Sequence, residues 1–140
     1  MTDPHQLQRF LDAQSQIYPC VLDELHRGQK QSHWMWFIFP QLAGLGHSAM
    51  AQRFAIASRE EAVAYLQHAI LGGRLRECTA LVNAVSRRTI LEILGHPDDL
   101  KFRSSMTLFA AVSADPTFAT AIAKFYDATP DPATLRLLGE

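Results

Sequence analysis

Along most of this chain apolar residues recur every three or four positions, the spacing of one buried helix face. Leu7, Phe10, Leu11 and Gln14 keep that period after "TDP", where Asp3 reads as a cap and Pro4 as the first helical residue. A second helix is expected from Tyr18 to Arg27, with Val21, Leu22 and Leu25 on its apolar face and Gly28 as its stop. "LAGLGHSAM" is a glycine turn into a short helix capped by Ser48. In "SREEAVAYLQHA", Ser58 and Glu61 match the capping box S-x-x-E, and Ala62, Tyr65, Leu66 and Ala69 form the buried face. Leu71, Leu75, Cys78, Val82 and Val85 continue as a further helix, starting loosely through Gly72 and Gly73. "SRRTILEILG" predicts a short helix with Arg87 and Arg88 at its solvated start and Gly95 at its end. "HPDDLKFRSSMTLFAAVS" opens with Pro97 and acids in the first turn, and "DPTFATAIAKFYD" and "DPATLRLL" repeat an Asp-Pro start.

One stretch breaks the pattern. From Trp34 to Pro40, within "KQSHWMWFIFPQ", every residue is apolar and four are aromatic. As a strand it would send Trp34, Trp36 and Ile38 one way and Met35, Phe37 and Phe39 the other. As a helical turn it would be apolar all round. Both arrangements bury it. The expected fold is all-α: a single compact domain over residues 1–140, with about eight short helices around one core.

Composition narrows the classes. The chain has 140 residues, 48% of them hydrophobic, and a net charge of −1. Such a domain buries about 68–70% of its unfolded-chain surface and needs no metal or disulfide to stand. It is too apolar for disorder and lacks the concentrated basic face of a nucleic-acid binder. Cys20 and Cys78 fall in no CxxC pattern, the N-terminal segment is polar, and no apolar run approaches a membrane span. These features predict a reduced, cytoplasmic protein with two small buried thiols, without membrane or nucleic-acid partners.

Three constellations could carry chemistry. In the aromatic stretch each tryptophan needs a partner for its indole N–H. Lys30, His33 and Gln41 flank it with the few polar groups that orient a ligand in an apolar pocket. On a helical wheel of "DDLKFRSSMTLF", Phe102, Met106 and Phe109 form one apolar arc, and Leu100 and Leu108 lie on another side. Asp98, Lys101 and Ser105 share the stripe between them, and Arg103 and Thr107 face outward. Lys101 is therefore expected near the core with Asp98 one turn away, either as a structural pair or as an anion-binding or proton-transfer lysine beside Ser104 and Ser105. "GLGHSA" formally matches G-x-G-x-x-G/A, but without the βαβ unit a dinucleotide site requires. The six histidines show no HExxH or HxxxH spacing, and GxSxG and GxxxxGK[ST] are absent, so neither a metal nor a cofactor is expected.

"GQKQSHWMWFIFPQLAGLGHS", "SREEAVAYLQHAILGGRL" and "HPDDLKFRSSMTLF" resemble successive motifs of domain-of-unknown-function family 1810, from about Leu7 to about Tyr126. The resemblance implies a single helical domain and no particular activity. Some family members carry the label "calpastatin". That label does not fit here, since such inhibitors act through disordered repeats and this chain is apolar and unrepeated. The family often has Pro where this chain has Ala69 and Gly73, which predicts a looser turn before Arg74. The aromatic, histidine and lysine motifs are also loosely similar, by analogy only, to helical hydrolases acting on N-glycosidic bonds of ADP-ribose-like compounds.

The leading expectation is a pocket for a small anionic ligand, a nucleotide or sugar phosphate. Trp34 or Trp36 would wall it. Lys30, His33 and Lys101 would meet the charge, Gln41 and Ser105 would set orientation, and Ser48, Arg74, Asp98 and Ser104 are further candidate ligand-binding residues. In a hydrolase, His33 and Lys101 would be the catalytic groups, His33 because its ordinary pKa suits acid–base work near neutrality. The rival is a non-catalytic protein-interaction module in which the aromatic stretch is pure core.

Overall fold

A computed structural model describes residues 3–139. Among them are ten helices and no strand, with a lone parallel bridge between Leu42 and Ile56. In order they are α1 (Gln8–Gln14), α2 (Tyr18–Arg27), α3 (Met35–Ile38), α4 (Ala49–Arg53), α5 (Arg59–Gln67), α6 (Ala69–Ala84), α7 (Ile90–Leu94), α8 (Asp98–Ala111), α9 (Pro116–Phe125) and α10 (Pro132–Leu138). The aromatic stretch resolves as a single helical turn, α3, rather than a strand. Among the described residues no helix is long and apolar enough to cross a membrane.

Two long helices organise the rest. Helix α6 packs on α2, α5 and α9, and α8 packs on α5, α7, α9 and α10. Because neighbours surround it, α8 is buried from Ser104 to Phe109 without interruption. Thr107, expected to face outward, is therefore enclosed: its hydroxyl donates to Arg103 O and accepts from the N–H of Asp131 at 2.8 Å. The core also holds Phe10, Trp34, Phe39, Tyr65, Phe102 and Phe118, none of them exposed.

Several helix boundaries follow the local chemistry of the chain. Gly28 ends α2 in the left-handed region at φ 75°, and Ser48, Asp115 and Asp131 cap their helices by side chain. Others differ. Asp3 accepts from the N–H groups of Leu7 and Gln8, but residues 4–7 form a turn and α1 begins only at Gln8. Ser58 caps α5, yet Glu61 turns its carboxylate to Arg9 at 2.9 Å, so half of the expected capping box forms. The complete box is Thr89 with Glu92, and it places Arg87 and Arg88 before the helix rather than in it. Helix α6 starts at Ala69, itself exposed, and is capped by His68 Nδ1, so Gly72 and Gly73 are helical and no loose turn precedes Arg74.

Candidate functional site

The aromatic turn is held by an acid. Glu24 lies on the face of α2 that carries Val21 and Leu25, and it is only 5% exposed. Once Gly28 reverses the chain, Gln31 N, Ser32 N, Ser32 Oγ, Cys20 Sγ and Trp34 Nε1 all donate to the Glu24 carboxylate, at 2.6–3.0 Å. Burial pushes this carboxyl up, but the bonds from Ser32, Gln31 and Cys20 outweigh it and hold the pKa at about 2. From the other side Gln14, also buried, donates to Phe37 O at 2.7 Å. Trp34 is thereby fully enclosed, while Trp36 is half-buried.

Beside this turn two lysines share one carboxylate. Lys30 Nζ lies 2.9 Å from Asp98 Oδ2, and Lys101 Nζ lies 3.4 Å from Asp98 Oδ1. Each ammonium also sits over a tryptophan, Lys30 at 5.1 Å from the Trp34 ring and Lys101 at 5.2 Å from that of Trp36. The Lys30 backbone N–H donates to Ile93 O, which ties the loop to α7. The fold thus gathers Lys30, Trp34, Trp36, Asp98 and Lys101 from two distant motifs. Asp98's closer partner is Lys30, not the Lys101 that shares its helix.

Lys101 also lines a cleft of about 430 Å³ between the loop before α4, the first turns of α8 and the start of α10. Its polar lining is Gln41, His47, Ser48, Lys101, Ser104 and Asp131. Ser104 Oγ donates to Leu100 O and to Asp131 Oδ2, at 3.2 and 3.0 Å, and Ser48 Oγ caps α4 through the N–H of Ala51. "GLGHSA" makes part of the cleft wall instead of a dinucleotide turn. A separate apolar groove between α8, α9 and α10, lined by Ala110, Ile122 and Leu135 among others, shares no residue with the cleft.

Seven expected site residues do not line the cleft: Lys30, Trp34, Trp36 and Asp98 belong to the cluster beside it, and His33, Arg74 and Ser105 to neither. Trp34 and Ser105 are in the core, and Ser105 Oγ has no hydrogen-bond partner. His33 is exposed and contributes nothing to the cleft lining. Arg74 points into a different network: it donates to Gln14 Oε1 at 3.2 Å and lies 4.5 Å over the Tyr18 ring. That same network raises the pKa of Tyr18, by burial and by its bond to Glu77, and burial pushes the Cys78 thiol up to about 12. Cys20 and Cys78 are both free, and Cys20 is only half-buried.

Glu24, His47 and Asp131 were not singled out by the sequence. A glutamate in register with Val21 and Leu25 was the available signal for Glu24. Asp131 reads locally as a helix cap and nothing more. Among the described residues no three or more His, Cys, Asp and Glu side chains gather as metal ligands would.

Fold and cleft together define a small all-helical protein with a polar cleft beside a lysine–tryptophan cluster. The chain belongs to the family described as "Protein of unknown function (DUF1810)", which it matches over residues 4–138. It is similar throughout to the conserved hypothetical protein Rv1873 from Mycobacterium tuberculosis, a solved crystal structure, with 54% identity, a TM-score of 0.97 and 99% of each chain covered. No curated protein matches the chain.

Proposed function

We propose that this protein binds a small anionic ligand, a nucleotide or sugar phosphate, in the cleft lined by Gln41, Ser48, Lys101 and Ser104. One observation carries the reading: two lysines meet a single carboxylate, so Asp98 cannot neutralise both, and among the described residues the cleft's other acid, Asp131, makes no ion pair with either. Lys30 is the closer and more buried partner, its side chain 8% exposed against 25% for Lys101. The excess charge therefore falls to Lys101, the member that lines the cleft. In this reading Trp36 flanks the anion site and Trp34 supports it from the core.

The reading assigns binding and no reaction. His33 and Arg74 stand apart from Lys101, and Ser104 already shares its one hydroxyl proton between Asp131 Oδ2 and Leu100 O. That scatter, with the enclosure of Trp34, is what favours the rival reading of a non-catalytic interaction module. We place the protein in the cytoplasm, in keeping with its free thiols.

A thermal-shift screen against inorganic phosphate, sugar phosphates and nucleotides tests the proposal, since a ligand that binds only the native state raises the melting temperature. A concentration-dependent rise that disappears in Lys101→Met supports it. No rise with any anion, or one that survives the substitution, overturns it.

A further inference from the structure

The polar atoms of the cleft also bear on which anion it takes. The Asp131 side chain makes all its hydrogen bonds within the protein through one carboxylate oxygen. Ser104 Oγ, Thr134 N and Thr134 Oγ1 all donate to Oδ2, at 3.0, 3.2 and 2.5 Å. Among the described residues nothing donates to Oδ1. The side-chain amide of Gln41 has no partner among the described residues either, although its backbone carbonyl accepts from Ile56 N at 2.8 Å. Both residues line the same cleft as Lys101.

Their placement is set by the helix. Lys101 and Ser104 are three residues apart on α8, so they occupy one face about one turn apart. The Ser104–Asp131 bond then brings the carboxylate to that same turn. The cleft therefore presents a cation, an adjacent acceptor-only oxygen and an amide that can both donate and accept. Inorganic phosphate meets the lysine and the amide, but its only donors for the carboxylate are the P–OH groups of the charged group itself. An anion that carries hydroxyls next to its charged group satisfies all three, with one hydroxyl donating to Asp131 Oδ1 and another meeting the Gln41 amide.

The walls decide between the two classes of anion. A nucleobase is held by stacking on an aromatic or guanidinium plane. Trp36 lies beside Lys101 at 5.2 Å without lining the cleft, no Tyr, Phe or Arg lines it, and the one ring in its wall is the exposed imidazole of His47. The rest of the wall is aliphatic, with Leu45, Pro97, Leu100 and Ala133. Resting on the anion-binding reading above, we propose that the ligand is a sugar phosphate recognised through its hydroxyls by Asp131 and Gln41, with no site for a base.

The test is calorimetric titration of the whole chain with inorganic phosphate, ribose, ribose 5-phosphate and adenosine 5′-monophosphate. Hydrogen bonds to a charged acceptor make ribose 5-phosphate bind about tenfold or more tightly than phosphate. Ribose alone binds too weakly to measure, and the adenine adds less than about threefold. Asp131→Asn keeps a competent helix cap but removes the carboxylate charge and replaces one acceptor oxygen by an NH2 donor. In that variant ribose 5-phosphate loses its advantage over phosphate, the ratio of the two affinities being the readout because the lost carboxylate charge shifts both alike. Equal affinity of the parent for phosphate and ribose 5-phosphate overturns the hydroxyl recognition while leaving the anion site intact. A tenfold gain from the base overturns the choice of sugar phosphate over nucleotide. Absence of saturable binding by all four probes overturns the anion site and this inference together. The comparison of probes on the parent decides the question even where Asp131→Asn does not fold.

Discussion

The indole N–H of Trp34 donates to Oε1 of Glu24 over 3.0 Å, in the interior, ten residues along the chain. Glu24 is the polar partner that lets a tryptophan be enclosed completely. Its bonds to Gln31 and Ser32 fold the loop after α2 back over the helix end, which delivers Lys30 to Asp98.

Glu24 makes stability depend on acid. Its carboxyl is held at about 2, against an ordinary 4.5. A depressed folded-state pKa contributes stability that is present above the unfolded value and lost as pH falls through the folded one. Urea unfolding of the parent should weaken between about pH 5 and pH 2. Glu24→Gln should be less stable by roughly 3 kcal/mol at neutral pH, with the difference closing near the acid end. Parallel pH profiles for parent and variant would show that the carboxylate charge contributes nothing.

The two lysines around Asp98 should differ in stability. Lys101→Met leaves Asp98 paired with Lys30 at 2.9 Å and should change stability by less than about 1 kcal/mol. Lys30→Met removes the closer and more buried partner and should cost about 2–4 kcal/mol. Equilibrium unfolding of both variants checks this. A larger loss in Lys101→Met would make Lys101 the structural partner of Asp98 and weaken the case for it in the cleft.

The two tryptophans should also separate. Trp34→Ala removes an unexposed ring and strips a donor from Glu24, and should destabilise by about 3–5 kcal/mol. Trp36 is half-buried, so Trp36→Ala should cost less than half as much. Similar unfolding midpoints for the two variants would contradict the burial that separates them.

Gly72 and Gly73 are neighbours with opposite tolerances. A Cβ at Gly72 would lie 2.1 Å from the carbonyl oxygen of Leu66, and backbone cannot step aside as a flexible side chain would. A Cβ at Gly73 meets nothing within 4 Å. Gly73→Ala, in an exposed helical position, should raise stability by about 0.5–1 kcal/mol. Gly72→Ala should lower it by more than that gain, because α5 and α6 must move apart. Thermal melts of the pair are sufficient, and a stabilised Gly72→Ala would rule out the close approach.

Sequence by itself determined the elements whose causes are local. Apolar spacing of three and four, the Asp-Pro starts, the Ser48 and Ser58 caps and the Gly28 stop each act within a turn or two of their own position, so the all-helical class was legible from them. The pairing of Asp98 with Lys101 was legible for the same reason, at three residues' separation. What the chain left open depended on contacts between residues far apart in sequence. Thr107 faces outward on a wheel but is covered because α10 folds across α8. Asp98 binds Lys30 more closely than Lys101 only because the Glu24-held loop returns to α8, 68 positions after Lys30. Asp131 reads as a helix cap in sequence, and only the approach of α10 to Ser104 sets it one turn from Lys101 in the cleft. His33 and Arg74 share charge and chemistry with that site, but the fold sends them elsewhere. A helical period specifies which face of a helix is buried; which partner covers that face is settled by how the helices pack around the common core.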